Sequence, residues 1–180
     1  MLNNIKLLCS SKQCLSFYYN LYAYFRLIVF YGLFSIHLCL LEDLMPKSVL
    51  FVCYGNACRS IMAEALARHN WGEKLEVASA GVSALGYIPE ETKKVLEEVG
   101  VSTDGLYSKG LSEMDINGFH LILDLVLYPL EGMLPPSFEG KVISWHVRDP
   151  FMEGLDSFRQ TRNDIEWLVT EKLSELLDGE

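Results

Sequence analysis

The sequence predicts an α/β fold in which helices cover both faces of a parallel sheet. Short apolar runs alternate with stretches of helical period from residue 48 to residue 177. Glycine and proline fall at the joints between them, at Gly81, Pro89 and Gly100. The first run, Ser48-Val49-Leu50-Phe51-Val52, passes into the loop Cys53-Tyr54-Gly55-Asn56-Ala57-Cys58-Arg59-Ser60 and then into a helical pattern. Strands that alternate with helices pair in parallel, because each crossover returns the chain to the same sheet edge.

Residues 48–53 read as a buried strand and 60–70 as a helix, with Ile61, Met62, Ala65 and Leu66 inward. A second strand covers 75–80 and ends at Gly81. The next helix spans 89–99, with Pro89 near its first turn and Gly100 closing it. Residues 119–125 and 141–145 give two more strands. A long terminal helix over 156–177 places Phe158, Ile165, Leu168, Val169, Leu173 and Leu176 at helical spacing.

The chain has 180 residues and a formal net charge of −9. A basic footprint for nucleic acid is missing, so that partner class is set aside. Its five cysteines are Cys9, Cys14, Cys39, Cys53 and Cys58, with neither CxxC nor zinc spacing, which favours a reducing, cytoplasmic setting. Residues 1–44 form an apolar extension ahead of a domain over 45–180. From Leu27 to Leu41 no Lys, Arg, Asp or Glu appears. Fifteen helical residues reach about 22 Å, short of the ~30 Å hydrocarbon core. Starting at Leu21 reaches the length but includes Arg26. Three readings stay open: a membrane anchor, a core-covering amphipathic extension, or a start placed too far upstream of Met45-Pro46-Lys47-Ser48. No small-residue cleavage site follows the apolar run, which speaks against a signal peptide.

The chemistry concentrates in residues 53–60. A strand-loop-helix junction aims backbone N–H groups at one point, and the helix N-terminus adds partial positive charge. Arg59 supplies a planar fork for a tetrahedral oxyanion. Surroundings that bind an anion also stabilise a thiolate at Cys53, so one loop can hold a phosphate-like group and attack it. Gly55 and Asn56 tolerate positive φ, and Ser60 adds a hydroxyl.

This loop resembles the phosphate-binding loop of the low-molecular-weight protein tyrosine phosphatases, a family that shares its fold with thioredoxin-coupled arsenate reductases. Ala78-Ser79-Ala80-Gly81 is similar to the family's Ser-Ala-Gly, Ser108-Lys109 falls where the family has a basic residue, and Asp149-Pro150 resembles its late Asp-Pro. The resemblance runs from about Lys47 to the C-terminus. It implies a three-layer sandwich with four parallel strands in the order 2-1-3-4. It also implies Cys53 as nucleophile, Arg59 with Tyr54, Gly55, Asn56, Ala57, Cys58 and Ser60 as the phosphate-binding set, Asp149 as general acid, and no cofactor. Ser60 would bond the thiolate and Asn56 would fix the loop. The implied substrates are a phosphorylated protein, a small aryl phosphate, or arsenate.

Bland readings stand beside these. Cys58 is loop packing or a disulfide partner that protects Cys53, and Arg148 is surface or a substrate contact. Tyr87 is surface or cleft wall, His69, His120 and His146 are structural, and Trp145 is core. Ile61 stands where the family has Pro, Phe151 and Met152 stand where it has Tyr, and Leu123-Asp124-Leu125 matches its Met-Asp poorly. No cysteine follows Cys58, so a relay over two further cysteines is missing; arsenate reduction would need Cys58 itself or an outside small thiol to resolve the arsenic adduct, and the phosphatase reading leads. A phosphate-binding module without catalysis is a third reading.

Overall fold

The computed structural model describes residues 47–126 and 130–178. The chain divides into two compact units, with the boundary between Met45 and Pro46. The expected extension over 1–44, with its membrane alternative, lies outside the described residues. Among the described residues no helix is long and apolar enough to cross a membrane.

Four strands form one sheet: β1 Lys47–Cys53, β2 Leu75–Gly81, β3 Leu121–Asp124 and β4 Lys141–Ser144. Their order is β2-β1-β3-β4, and every pair is parallel. Successive side chains of a strand face opposite ways, and β1 divides accordingly. Val49, Phe51 and Cys53 join one core cluster, whereas Leu50 and Val52 join the other. The first cluster is covered by helices α1 Arg59–Trp71, α2 Glu90–Glu97 and α3 Leu155–Trp167. On the opposite face the third layer includes one-turn 3-10 helices, where Leu111 and Ile116 pack on Leu50 and Ile122. The expected sandwich and strand order are therefore present. Trp145 is core as expected, its ring centroid 6.3 Å from that of Phe51.

The element ends differ from the sequence reading by a residue or two. β3 and β4 stop one residue early, yet Leu125 N–H still donates to Val52 O and Trp145 N–H to Asp124 O, each at 2.7 Å. The predicted terminal helix is not uniform. After α3, residues Leu168–Lys172 wind as a π-helix before α4 Leu173–Asp178. There the Thr170 hydroxyl donates to the carbonyl of Glu166 at 3.0 Å, a local bond that competes with regular winding. Val169 and Leu173 stay buried across the change, and Leu168 and Leu176 pack partly buried against the core.

Parallel pairing puts the carboxyl ends of all four strands on one edge of the sheet. Ligands of such sheets bind beyond that edge. Cys53 ends β1, and Asp149 follows β4 by five residues.

Candidate active site

The loop over 54–58 connects β1 to α1 and is held against the segment after β2. Val82 N–H donates to Cys53 O at 3.0 Å, Ser83 N–H to Tyr54 O at 2.8 Å, and Leu85 N–H to Gly55 O at 2.9 Å. The approach is close enough to dictate residue type. A Cβ at Gly81 would lie 2.8 Å from the Asn56 backbone nitrogen, so only glycine fits there.

Asn56 is fully buried in a left-handed conformation, with φ of 44°. That region is unfavourable for most L residues and tolerated by asparagine, whose side chain bonds locally. Its Oδ1 accepts from the Lys109 N–H at 2.7 Å. The other end of the amide must then be Nδ2, which donates to Ser60 Oγ at 2.9 Å and to Ser79 Oγ at 2.8 Å. The Ser79 hydroxyl donates in turn to Glu64 Oε2. Ser60, already an acceptor, has one proton left, and Cys53 Sγ lies 3.0 Å from its Oγ. The geometry thus runs a polar chain from Cys53 through Ser60, Asn56 and Ser79 to Glu64.

Glu64 sits on α1 with no solvent exposure. Burying a lone carboxylate costs several kcal/mol, so its partners decide whether the site is stable. Arg68, one turn on, pairs with Oε1, and Lys109 Nζ lies 3.4 Å from Oε2. Lys109 is itself buried, its ammonium 4.5 Å from the Tyr107 ring centroid. Lys109→Met keeps the aliphatic bulk and removes the charge. It is expected to destabilise the fold by about 3 kcal/mol, the usual cost of breaking a buried pair. A urea or thermal unfolding series measures this.

Arg59 begins α1 and is almost fully buried. Its Nη1 donates to Leu125 O at 2.7 Å, and its Nη2 pairs with the Asp149 carboxylate. The other Asp149 oxygen accepts from the Phe151 N–H at 3.2 Å. Cys53, Arg59 and Asp149 line one cavity of ≈ 150 Å³ with Tyr54, Gly55, Ala57, Cys58, Leu85 and Phe151. An apolar cavity of about this volume admits a benzene ring. Tyr54, Leu85 and Phe151 stay 48%, 40% and 38% exposed, so the mouth is apolar and partly aromatic.

Most residues expected from the sequence therefore meet at one place. Asn56 and Ser60 are the exceptions in manner: both are fully buried, and their side chains serve the polar chain. Cys58 lines the cavity but is otherwise buried, and burial pushes its thiol up to about 12 despite a hydrogen bond from Thr92. Arg148 is exposed and bonds Glu153 at 2.8 Å. His120 accepts from or donates to Ser48 at the opposite sheet edge, and His69 and His146 are exposed. No group of His, Cys, Asp or Glu among the described residues could hold a metal ion. The sequence reading missed Glu64 and Leu85. Glu64 left one signal, as the only charge in Ser60-Ile61-Met62-Ala63-Glu64-Ala65-Leu66-Ala67. Leu85 left none.

Comparison with known proteins agrees with this geometry. A glutaredoxin arsenate reductase of Synechocystis sp. is 28% identical over 132 residues, covering 72% of this chain and 98% of that protein. The low-molecular-weight protein-tyrosine-phosphatase YfkJ of Bacillus subtilis is 40% identical over 84 residues, covering 42% of this chain and 54% of YfkJ. A solved structure of the YwlE arginine phosphatase, a Cys-to-Ser mutant with a phosphorylated active-site serine, superposes with a TM-score of 0.66 at 26% identity. It covers 74% of this chain and 97% of YwlE. The family model described as low molecular weight phosphotyrosine protein phosphatase matches residues 48–179. With its parallel sheet in the order β2-β1-β3-β4 and its Cys-to-Arg loop at the carboxyl edge, the chain belongs to the low-molecular-weight phosphotyrosine protein phosphatase family.

Proposed function

We propose that the chain hydrolyses phosphotyrosine, or a similar aryl phosphate monoester, through a phosphocysteine intermediate. One observation carries this reading: Cys53, Arg59 and Asp149 face a single cavity, with the Asp149 carboxylate resting on the Arg59 guanidinium. A nucleophile, a cation for the equatorial oxygens and a proton donor are what phosphate monoester cleavage requires.

The Ser60 hydroxyl, already accepting from Asn56, is directed at Cys53 Sγ. Arriving phosphate takes over the Arg59 fork and receives the amides of the loop at the start of α1. Displaced from Arg59, the Asp149 carboxyl is placed at the leaving oxygen as the acid. The Cys53 thiolate attacks phosphorus, the bond from phosphorus to the leaving oxygen breaks, and Asp149 gives that oxygen its proton. Water then attacks the phosphocysteine while the Asp149 carboxylate takes its proton. The P–S bond breaks, inorganic phosphate leaves, and the Cys53 thiolate returns. The exposed Tyr54 and Phe151 at the mouth suit an aryl leaving group.

Arsenate reduction is the second reading, supported by the arsenate reductase relative of Synechocystis sp.. It needs Cys58 or an outside small thiol to resolve the arsenic–sulfur adduct. Cys58 suits that task poorly, because its burial raises the thiol and disfavours the thiolate that must attack. No cysteine follows it. The test sets turnover of para-nitrophenyl phosphate beside thiol-dependent reduction of arsenate, with the same full-length preparation. Hydrolysis well above background without arsenate turnover is expected. Arsenate turnover alone would reverse the order of the two readings.

A further inference from the structure

Thr92 sits in the first turn of α2 with no solvent exposure. The other buried residues of that helix, Val95 and Leu96, are apolar. A buried hydroxyl in a helix commonly bonds a carbonyl one turn back. This one crosses to the loop after β1, 35 residues away in sequence, and donates to the Ala57 carbonyl at 3.1 Å. Thr92 does not line the catalytic cavity, so any effect on the reaction passes through the loop.

The Ala57 carbonyl precedes the hydrogen-bond ladder of α1. That ladder opens with the next carbonyl, Cys58 O, which accepts from the Met62 N–H at 2.8 Å. Ala57 is buried, so its carbonyl needs a partner from elsewhere in the fold, and Thr92 supplies one. The Cys58 thiol, raised by burial, keeps its own proton and leaves that of Thr92 to the carbonyl. The bond fixes more than one oxygen. A trans peptide is planar, and its C=O and N–H point opposite ways. The Ala57 C=O and the Cys58 N–H share one such plane. Drawing the carbonyl toward α2 turns the N–H away from α2, toward the cavity that Ala57, Cys58 and Arg59 line. Once released, the plane is free to turn its oxygen inward, and a donor to the anion is replaced by a repelling dipole. We propose that Thr92 is a positioning residue for anion binding, holding the Ala57 carbonyl so that the Cys58 N–H meets the phosphoryl oxygens. The proposal rests on the phosphatase reading for its substrate and gives Thr92 no part in proton transfer.

The test uses the full chain and Thr92→Val, which removes the hydroxyl and keeps the branched shape. Calorimetric affinity for inorganic phosphate is expected to fall about 10-fold, less than the loss of a whole oxyanion donor because the amide is misaimed and not deleted. The kcat/KM values on para-nitrophenyl phosphate and on phosphotyrosine should fall by the same factor as each other, since both substrates present the same phosphoryl group. Thr92→Ser, which restores the hydroxyl, should recover most of the affinity. A role in stability alone would lower the unfolding midpoint of Thr92→Val and leave phosphate affinity unchanged. Unchanged phosphate affinity in Thr92→Val, or affinity in Thr92→Ser as weak as in Thr92→Val, overturns the proposal. Should Thr92→Val not fold, Thr92→Ala, which favours the helix, is read in the same way. Should para-nitrophenyl phosphate not be hydrolysed by the parent chain, the phosphatase reading falls separately, and phosphate affinity alone decides the role of Thr92.

Discussion

Cys53→Ser is expected to lower hydrolysis of para-nitrophenyl phosphate by about 10⁴-fold or more while the fold and anion binding persist. Serine is close in size to cysteine and keeps a partner for Ser60, which lies 3.0 Å from the sulfur. It does not keep the chemistry. A serine hydroxyl attacks phosphorus only when a base removes its proton, and no histidine lines the cavity. Binding of vanadate or inorganic phosphate should survive, because the Arg59 fork and the loop are untouched. Unfolding midpoints alongside the kinetics separate loss of chemistry from loss of structure. Residual turnover near that of the parent protein would remove Cys53 from the mechanism.

Asp149→Asn should slow hydrolysis of phosphotyrosine by about 10²- to 10⁴-fold, the usual worth of a positioned acid. Asparagine has one accepting oxygen in place of two, so it can keep the Phe151 N–H contact while giving up the pairing with Arg59. The loss should shrink for para-nitrophenyl phosphate, whose leaving group departs with less need of a proton. A purely structural role for Asp149 would slow both substrates alike. The substitution also frees the Arg59 fork from its internal carboxylate, so inorganic phosphate should inhibit the variant at least as well as the parent. Normal turnover on phosphotyrosine would assign the acid elsewhere.

The parts of the molecule visible in the sequence are those whose causes are local. β1, the loop after it and α1 were readable because an apolar run, a glycine, an asparagine and a helical period adjoin in one stretch. Asp149 was different. An Asp-Pro pair is an ordinary turn signal, and it became a candidate acid only through its resemblance to a family pattern. The structure adds a contact that the pair alone does not contain, its carboxylate on Arg59. Glu64 and Lys109 show the limit of local reading. Each looks like surface by residue type, yet they are buried together because segments 45 residues apart converge behind the loop. The change of winding after Trp167 was equally hidden, since Phe158 to Leu176 keep nearly helical spacing throughout.

Asn56 draws on Ser60 in the next helix, on Ser79 in β2, and on Lys109, which is 53 residues away. Its shape is therefore set by pairings of high contact order, which form late because long loops must close first. During refolding, far-ultraviolet helix signal should return before anion affinity does. Recovery of vanadate binding then becomes a clock for completion of the whole sheet, not of the short stretch that touches the ion.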